Sequence, residues 1–537
     1  MEPRAHRSTH ARRLVRWLAR SCFLAALIVS APSYAAFGVT SVSGTYQVDT
    51  GAGLVFRIRQ TNGDMVSLKL NGNELQDQSK FSHIASGLGS ATVTAQSFGS
   101  SYIKITCTTS TLTHYYVARN GFNIVYMATY ISAEPSVGEL RYIARLQKSK
   151  LPNGPTPSAI AGGTAIESDD VFLVSGQTRS KFYGNERAMD LTVKGATGSG
   201  VGVFSIFGQR ESSSGGPFFR DIENQGGTQQ EVYNYMNSGH YQTEAFRVGV
   251  LHGPYFFAVT NGSTPSANVD SSFMSTLGLT GWVSNRGRVT GTVSGIPGGE
   301  PAVVGWANAT AQYWVAASGG SFTSPWMKPG TYTMTLYRDE LAVATTSVTV
   351  TASPTPVTRN ISSTIANPSF IWQIGVPDGT PQGMKNASNM PLMHPSDTRQ
   401  GSWGPVTYTV GSSPLNTFPA AQWKEVNNPT TVKFNLTSGQ VAAHAVRIGI
   451  TCAHAGGRPQ ITVNSWTSPI PSPSSQPSTR SLTLGTYRGN NTTFTYSVPA
   501  TAFVSGQNTM TITVVSGSSG TGFLSPGYAY DFVELDN

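Results

Sequence analysis

Nowhere in this chain do apolar residues recur at the three-and-four spacing of an amphipathic helix over any useful length. What recurs are short runs of alternating or β-branched residues, such as Leu54-Val55-Phe56-Arg57-Ile58, cut by Gly, Asn and Pro. That pattern restricts the chain to an all-β fold built of sandwiches. At 537 residues it exceeds what one core can hold, so several domains are required. The turn residues are abundant enough to supply the connections, with 57 Gly and 31 Pro.

The first 35 residues read as a secretory leader and stand apart from this pattern. Six arginines precede a short apolar run from Cys22 to Val29, and Ser33-Tyr34-Ala35 offers a small-x-small cleavage site. The mature chain is expected to begin at Ala36 and to be exported. The leader also carries most of the excess positive charge. Without it the balance is 30 Lys+Arg against 26 Asp+Glu, so global charge gives no reason to expect nucleic acid as a partner. No later segment is long and apolar enough to suggest a membrane partner. Seven N-x-S/T sequons, at Asn261, Asn308, Asn360, Asn386, Asn435, Asn490 and Asn491, fit an exported glycoprotein. Cys107 and Cys452 lie too far apart in sequence to form an evident disulfide framework and read as buried thiols.

Residues 36–281 form the first expected domain, a large antiparallel one. Leu112 to Arg119 and Asn123 to Tyr130 predict a hairpin around Asn120-Gly121. Phe246 to Leu251 and Tyr255 to Val259 predict two closing strands. Residues 282–357 have the length and strand spacing of a fibronectin-type sandwich, and Ser353-Pro354-Thr355-Pro356 reads as a linker. Residues 358–537 predict a jelly roll of about eight strands, one of which the pattern does not place. Trp372, Trp403 and Trp466 look exposed there and suggest a sugar-binding face, with core tryptophan as the alternative.

The chemistry concentrates in the first domain. In strand geometry Arg141 and Arg145 share a face, as do Tyr233 and Tyr235. His240 follows the second pair after a short polar turn, and Lys181 lies in a loop-like run of cations and aromatics. Glu167, Asp169 and Asp170 invite a glycosidase reading, but no second carboxylate cluster accompanies them. Nucleotide loops, CxxC pairs, HExxH and GxSxG are absent, no metal ligand set is legible, and no cofactor is called for. Lys, His, Tyr and Arg without paired carboxylates suit removal of a proton α to a carboxylate. Guanidinium groups neutralise the uronate, one group takes the C5 proton and another serves the leaving oxygen.

Several motifs carry a family resemblance: YNYMNSGHYQTE, TRSKFY, GELRYIARL, ESSSGGPF, MHPSDTR and SWGPVTYTVGSS. They resemble the fungal-type rhamnogalacturonan lyases of polysaccharide lyase family 4, over essentially the whole chain from Ala36. The resemblance implies a galactose-mutarotase-like β-supersandwich, a fibronectin-III-like domain and a carbohydrate-binding-like jelly roll. It further implies β-elimination at rhamnose–galacturonic acid α-1,4 links of rhamnogalacturonan I by a secreted monomer. Lys181 and His240 would be catalytic, with Lys181 as base, and Arg141, Arg145, Tyr233 and Tyr235 would bind substrate. It also implies that a cysteine matching Cys107 pairs with one at the Asn62-Gly63 region, where this chain has none. A second cysteine pair is missing after Arg187, where the loop looks shortened. The competing readings are a non-catalytic pectin-binding protein, which needs no Lys181–His240 pair, and an aldose 1-epimerase, which wants a Glu/His pair.

Overall fold

The computed structural model describes residues 36–537 apart from 136–137, 155–159, 161, 168–170, 181–185, 227, 239–244, 366–368, 478–480 and 485. It is a chain of β-sheets, with one short α-helix, Ser481–Leu484, among the described residues.

Roughly the first 250 described residues build the largest part. A meander runs from Gly38–Val42 through Thr45–Asp49, Leu54–Arg59 and Met65–Leu70 to Asn73–Glu74. A seven-stranded antiparallel sheet has Val250–Thr260 and Ile124–Ile131 near its centre, and the hairpin Leu112–Arg119/Ile124–Ile131 turns at Asn120-Gly121 as its sequence predicts. Gly121 supplies the positive φ, +81°, that the turn needs. A four-stranded sheet, in the order Asn224–Gly226, Gln230–Asn237, Leu140–Leu146, His83–Ile84, carries the site residues. Alternation divides its two central strands. Leu140, Tyr142, Ala144, Leu146, Val232 and Met236 enter the main core, while Ile143, Tyr233 and Tyr235 pack on the other face with Ala188, Phe219 and Ile222.

The closing segment corrects the expectation of two strands. Val250–Thr260 is one strand of 11 residues, and 246–249 lie outside it. Gly253-Pro254 interrupts the apolar pattern but not the strand, because the register against Ile124–Ile131 shifts between Met127 and Thr129 and takes up the irregularity.

The middle part pairs two four-stranded sheets around Trp306, Tyr332 and Met334. In the third part, two five-stranded sheets enclose a core containing Trp423, Phe418, Tyr528 and Tyr530. The strand the sequence left unplaced is Gly527–Asp536, which pairs with Phe370–Gly375, Ala421–Trp423 and His444–His454. It is central and buried almost throughout, so it shows no polar–apolar alternation. Its Asp531 is nonetheless buried and accepts the backbone N–H groups of Asp378 and Gly379.

Trp372 and Trp403 correct a second expectation. Both are buried core residues, and Trp466 is half-buried against the same core. The Trp403 indole N–H donates to the Pro395 carbonyl at 3.0 Å, and its ring meets Trp423 edge-on at 5.0 Å. A buried indole with its N–H satisfied is a packing element, and no sugar-binding face is formed by these three rings.

Both cysteines are buried and free, and burial pushes each thiol up to about 12. A Cβ on Gly63 would lie 2.7 Å from Cys107 Sγ. The structure thus puts the cysteine-lacking Asn62-Gly63 turn directly against the Cys107 thiol.

Two ionic clusters join the three parts. Glu211 of the first accepts Arg286 through both oxygens and the Tyr313 hydroxyl at 2.7 Å, with Lys328 at 3.2 Å. Arg220 of the first donates to Glu340 of the second and to the Tyr487 hydroxyl of the third.

Candidate active site

Register assembles the candidate site from residues far apart in sequence. Between Leu140–Leu146 and Gln230–Asn237, Arg141 stands opposite Tyr235, Ile143 opposite Tyr233, and Arg145 opposite Glu231. Directly opposed residues share a sheet face. The two arginines and two tyrosines therefore form one ledge, as their spacing predicts. His83 joins it from the next strand, opposite Ile143.

The two arginines are not equivalent. Arg145 is held through two of its nitrogens: Nε donates to Glu231 at 3.0 Å, and Nη1 reaches the Phe81 carbonyl at 3.1 Å and the His83 ring. Arg141 forms an ion pair with Glu139 and lies 5.5 Å over the Tyr235 ring. Its Nε is buried without a hydrogen-bond acceptor among the described residues. A buried guanidinium N–H without an acceptor is costly to keep unless something else accepts from it.

The tyrosine rings stack at 5.7 Å with an 18° interplanar angle, and both are buried. Tyr233 donates its hydroxyl proton to Glu231 at 2.6 Å. Burial, then the Glu231 charge, holds the Tyr233 phenol well above its ordinary value, and burial with Asp221 does the same for Tyr235. Both are therefore neutral hydrogen-bonding groups at mild pH. His83 is pushed down to about 4 by burial and by Arg145 and Arg141, which keeps its ring neutral and able to accept.

Glu231 and His83 were not singled out in the sequence. Glu231 begins the run that leads into Tyr233, and strand alternation from Tyr233 and Tyr235 would have put it on the same face. Nothing in the surroundings of His83 marked it. Its partner Arg145 is 62 residues away.

Lys181 and His240 lie outside the described residues, as do Asp169 and Asp170. Glu186, after the Lys181 segment, and the residues on both sides of 239–244 are nonetheless tied to the strand Gln230–Asn237 or its neighbours. The strand Gln177–Ser180 ends immediately before Lys181. Glu186, after that segment, donates its backbone N–H to Glu223 Oε1 at 3.3 Å, and the Glu223 carbonyl accepts the Tyr233 N–H at 2.8 Å. Lys194 bridges Glu186 and Glu223, whose carboxyl is pushed up to about 8 chiefly by burial. On the other side, Ser214 ties both flanks of residues 239–244. Its N–H donates to the Met236 carbonyl at 3.0 Å and its hydroxyl to the Ala245 carbonyl at 2.9 Å. Ser214 belongs to the ESSSGGPF loop, so that motif has a structural task beside the ledge. No group of three or more His, Cys, Asp or Glu is placed to hold a metal ion among the described residues.

Comparison with known proteins agrees along the length of the chain. Residues 37–281 match the family described as rhamnogalacturonan lyase B, N-terminal; residues 285–358 match polysaccharide lyase family 4, domain II; residues 370–535 match domain III of the same family. A protein of Aspergillus fumigatus named "Probable rhamnogalacturonate lyase A" is 53% identical over 512 residues, covering 94% of this chain and 96% of its own. Rhamnogalacturonate lyase A of Aspergillus aculeatus is 52% identical, covering 94% and 97%, and that of Emericella nidulans is 51% identical, covering 93% and 96%. Among solved structures, a Paenibacillus xanthan lyase aligns at 8% identity and a TM-score of 0.24, over 95% of this chain and 52% of that one, which is too distant to inform the site. With matches to all three domains and half of all positions shared over nearly its full length, this chain is an all-β polysaccharide lyase that belongs to polysaccharide lyase family 4.

Proposed function

We propose that this protein is an exported enzyme of pectin breakdown. In this reading it cleaves α-1,4 rhamnose–galacturonic acid links of the rhamnogalacturonan I backbone by β-elimination. The observation that carries the reading is the similarity of some 52% over 94% of the chain to a protein named rhamnogalacturonate lyase A. The ledge supports it chemically, since it offers cations and neutral phenols suited to a sugar carboxylate rather than a pair of free carboxylates suited to hydrolysis.

In the proposed reaction the C5 proton of galacturonate leaves to a base. The electron pair of that C–H bond forms the C4=C5 double bond. The C4–O bond to rhamnose breaks, and its oxygen takes a proton. Lys181 is assigned as the base and His240 as the group that protonates or polarises the leaving oxygen. Arg141 is the better-placed guanidinium for the uronate, because its Nε lacks an acceptor while Arg145 is occupied by Glu231. Arg145 would then hold the ledge in shape, and Tyr233 and Tyr235 would floor the adjacent sugar sites. The mature enzyme would begin at Ala36 and act as a monomer in domains 36–281, 282–357 and 358–537.

The test is ultraviolet absorbance on de-esterified rhamnogalacturonan, because a 4,5-unsaturated uronate absorbs where the substrate does not. Product from the wild type and its loss in Lys181→Ala and His240→Ala are expected. No product from the wild type, with the polymer still bound, would favour a non-catalytic binding protein.

A further inference from the structure

The middle part of the molecule carries a groove that the chemistry at the ledge does not use. Its volume is about 750 Å³, and Ser284, Asn285, Arg286, Trp326, Ser353 and Pro354 line it. Trp326 is the one tryptophan that is exposed among the described residues, with 45% of its surface in solvent. The other described indoles are buried or half-buried. A single exposed ring is ordinary on a protein surface, but one set in a groove beside a cation has the form of a ligand contact.

The charges around the groove narrow what that is. Arg288 does not line the groove itself but holds its guanidinium 5.1 Å over the Trp326 ring. Its Nε donates to the Ser324 carbonyl at 2.9 Å, and it pairs with no carboxylate among the described residues. The neighbouring Arg286 is neutralised by the bidentate contact to Glu211. No Asp or Glu lines the groove. One uncompensated guanidinium is therefore fixed beside an exposed ring, among hydroxyl and amide groups. A pyranose offers a C–H face to an aromatic ring, and a uronate offers a carboxylate to a guanidinium fork.

We propose that this groove is a second polysaccharide-binding site, which docks a uronate-bearing stretch of polymer apart from the ledge. This rests on the reading of the chain as acting on an acidic polysaccharide. The groove is connected to the ledge by short steps. Arg210 donates to the Tyr235 carbonyl at 3.1 Å, its neighbour Glu211 takes Arg286, and Arg286 donates to the Trp326 carbonyl at 3.2 Å. A polymer held at Trp326 is thereby linked through three residues to the part of the enzyme that presents the ledge.

The test uses the full-length protein in affinity electrophoresis through gels containing de-esterified rhamnogalacturonan, polygalacturonate or neutral galactan. Retardation by the two acidic polymers and not by galactan is expected. Trp326→Ala should weaken retardation about five- to tenfold and Arg288→Ala about threefold, with Arg288→Lys in between, because a lysine keeps the charge without the stacked plane. Turnover of oligosaccharides too short to reach the groove should be unchanged in all three. The proposal falls if the wild type is not retarded by acidic polymer, or if the variants migrate as the wild type does. If retardation depends on Trp326 and Arg288 but no unsaturated product ever forms, the docking site stands and the lyase reading falls. If unsaturated product forms but retardation is indifferent to Trp326 and Arg288, the lyase reading stands and the docking site falls.

Discussion

His114 lies fully buried beneath the ledge. Its Nδ1 is 2.8 Å from the Thr129 hydroxyl, and its ring contacts Tyr116 edge-on at 4.4 Å and stacks near Tyr142 at 5.7 Å. Burial pushes its imidazole down from 6.5 to about 3. The folded chain therefore refuses a proton that the unfolded chain accepts. Stability from this group is complete above pH 6.5 and is lost as pH falls from 6.5 towards 3. Each pH unit in that window is worth about 1.4 kcal/mol, so roughly 2 kcal/mol is gone by about pH 5. His83, His252 and His394, each held at about 4, push in the same direction, while buried acids held high, such as Asp378 at about 6, push in the opposite one. Comparison with His114→Gln isolates one group, because packing losses in the variant cancel when its own two pH values are subtracted. Urea unfolding at about pH 8 and pH 5 should show the wild type losing about 2 kcal/mol more than the variant over that interval. Parallel pH profiles would refute the reasoning and mean that His114 titrates alike in both states.

Three further outcomes follow from packing and pairing. Gly63→Ala should cost about 1–3 kcal/mol by calorimetry, because the new Cβ would press on Cys107 Sγ at 2.7 Å with φ at +74°. Trp403→Ala should cost about 3–5 kcal/mol in denaturant unfolding yet leave polymer retardation unchanged below its melting point, the opposite of Trp326→Ala. Glu340→Gln should cost about 3 kcal/mol, because it takes the carboxylate from buried Arg220 at the junction of all three parts; a loss confined to a few tenths would mean that Arg220 relies on its other partners.

The sequence revealed most where one face of a strand is wet. Leu54–Arg59 and Tyr102–Thr108 could be read from alternation, the Leu112–Arg119 hairpin from its Asn-Gly turn, and the pairing of Arg141 with Arg145 and of Tyr233 with Tyr235 followed from period two alone. It failed where both faces are dry. Gly527–Asp536 has no alternation to read, and Trp372 and Trp403 gave no local sign of whether their rings turn inwards. Register was equally illegible. The contacts that decide the ledge are between residues 86 and 62 apart, Arg145 with Glu231 and with His83, and only sheet pairing brings them together. The same limit hid Ser214, whose motif is recognisable but whose bridge from Met236 to Ala245 is a product of folding.

The inequality of the two arginines makes the ledge testable without knowing the whole site. Glu139 and Glu231 compensate Arg141 and Arg145, so the face is close to neutral and an arriving carboxylate must find a guanidinium edge not already committed. Arg145 has two of its three nitrogens committed: Nε serves Glu231, and Nη1 serves Phe81 and His83. Arg141 has its Nε. Arg145→Gln should therefore act mainly on stability, costing about 3 kcal/mol by leaving Glu231 buried without its cation, with kcat/KM of the folded fraction reduced less than about tenfold. Arg141→Gln should weigh mainly on turnover. It leaves Glu139 without its cation but also removes an unsatisfied buried donor, so stability should fall by less than in Arg145→Gln, by about 1–2 kcal/mol, while loss of a charge-assisted contact to the uronate should lower kcat/KM by about 100-fold or more. Denaturant unfolding and initial rates of unsaturated product, measured on both variants at one temperature well below either melting point, separate the two. If Arg145→Gln abolishes turnover in a fully folded protein while Arg141→Gln leaves turnover intact, the uronate lies on Arg145. Glu231 would then have to give way to the substrate carboxylate, and the ledge would bind by exchange of ion pairs instead of at an open guanidinium edge.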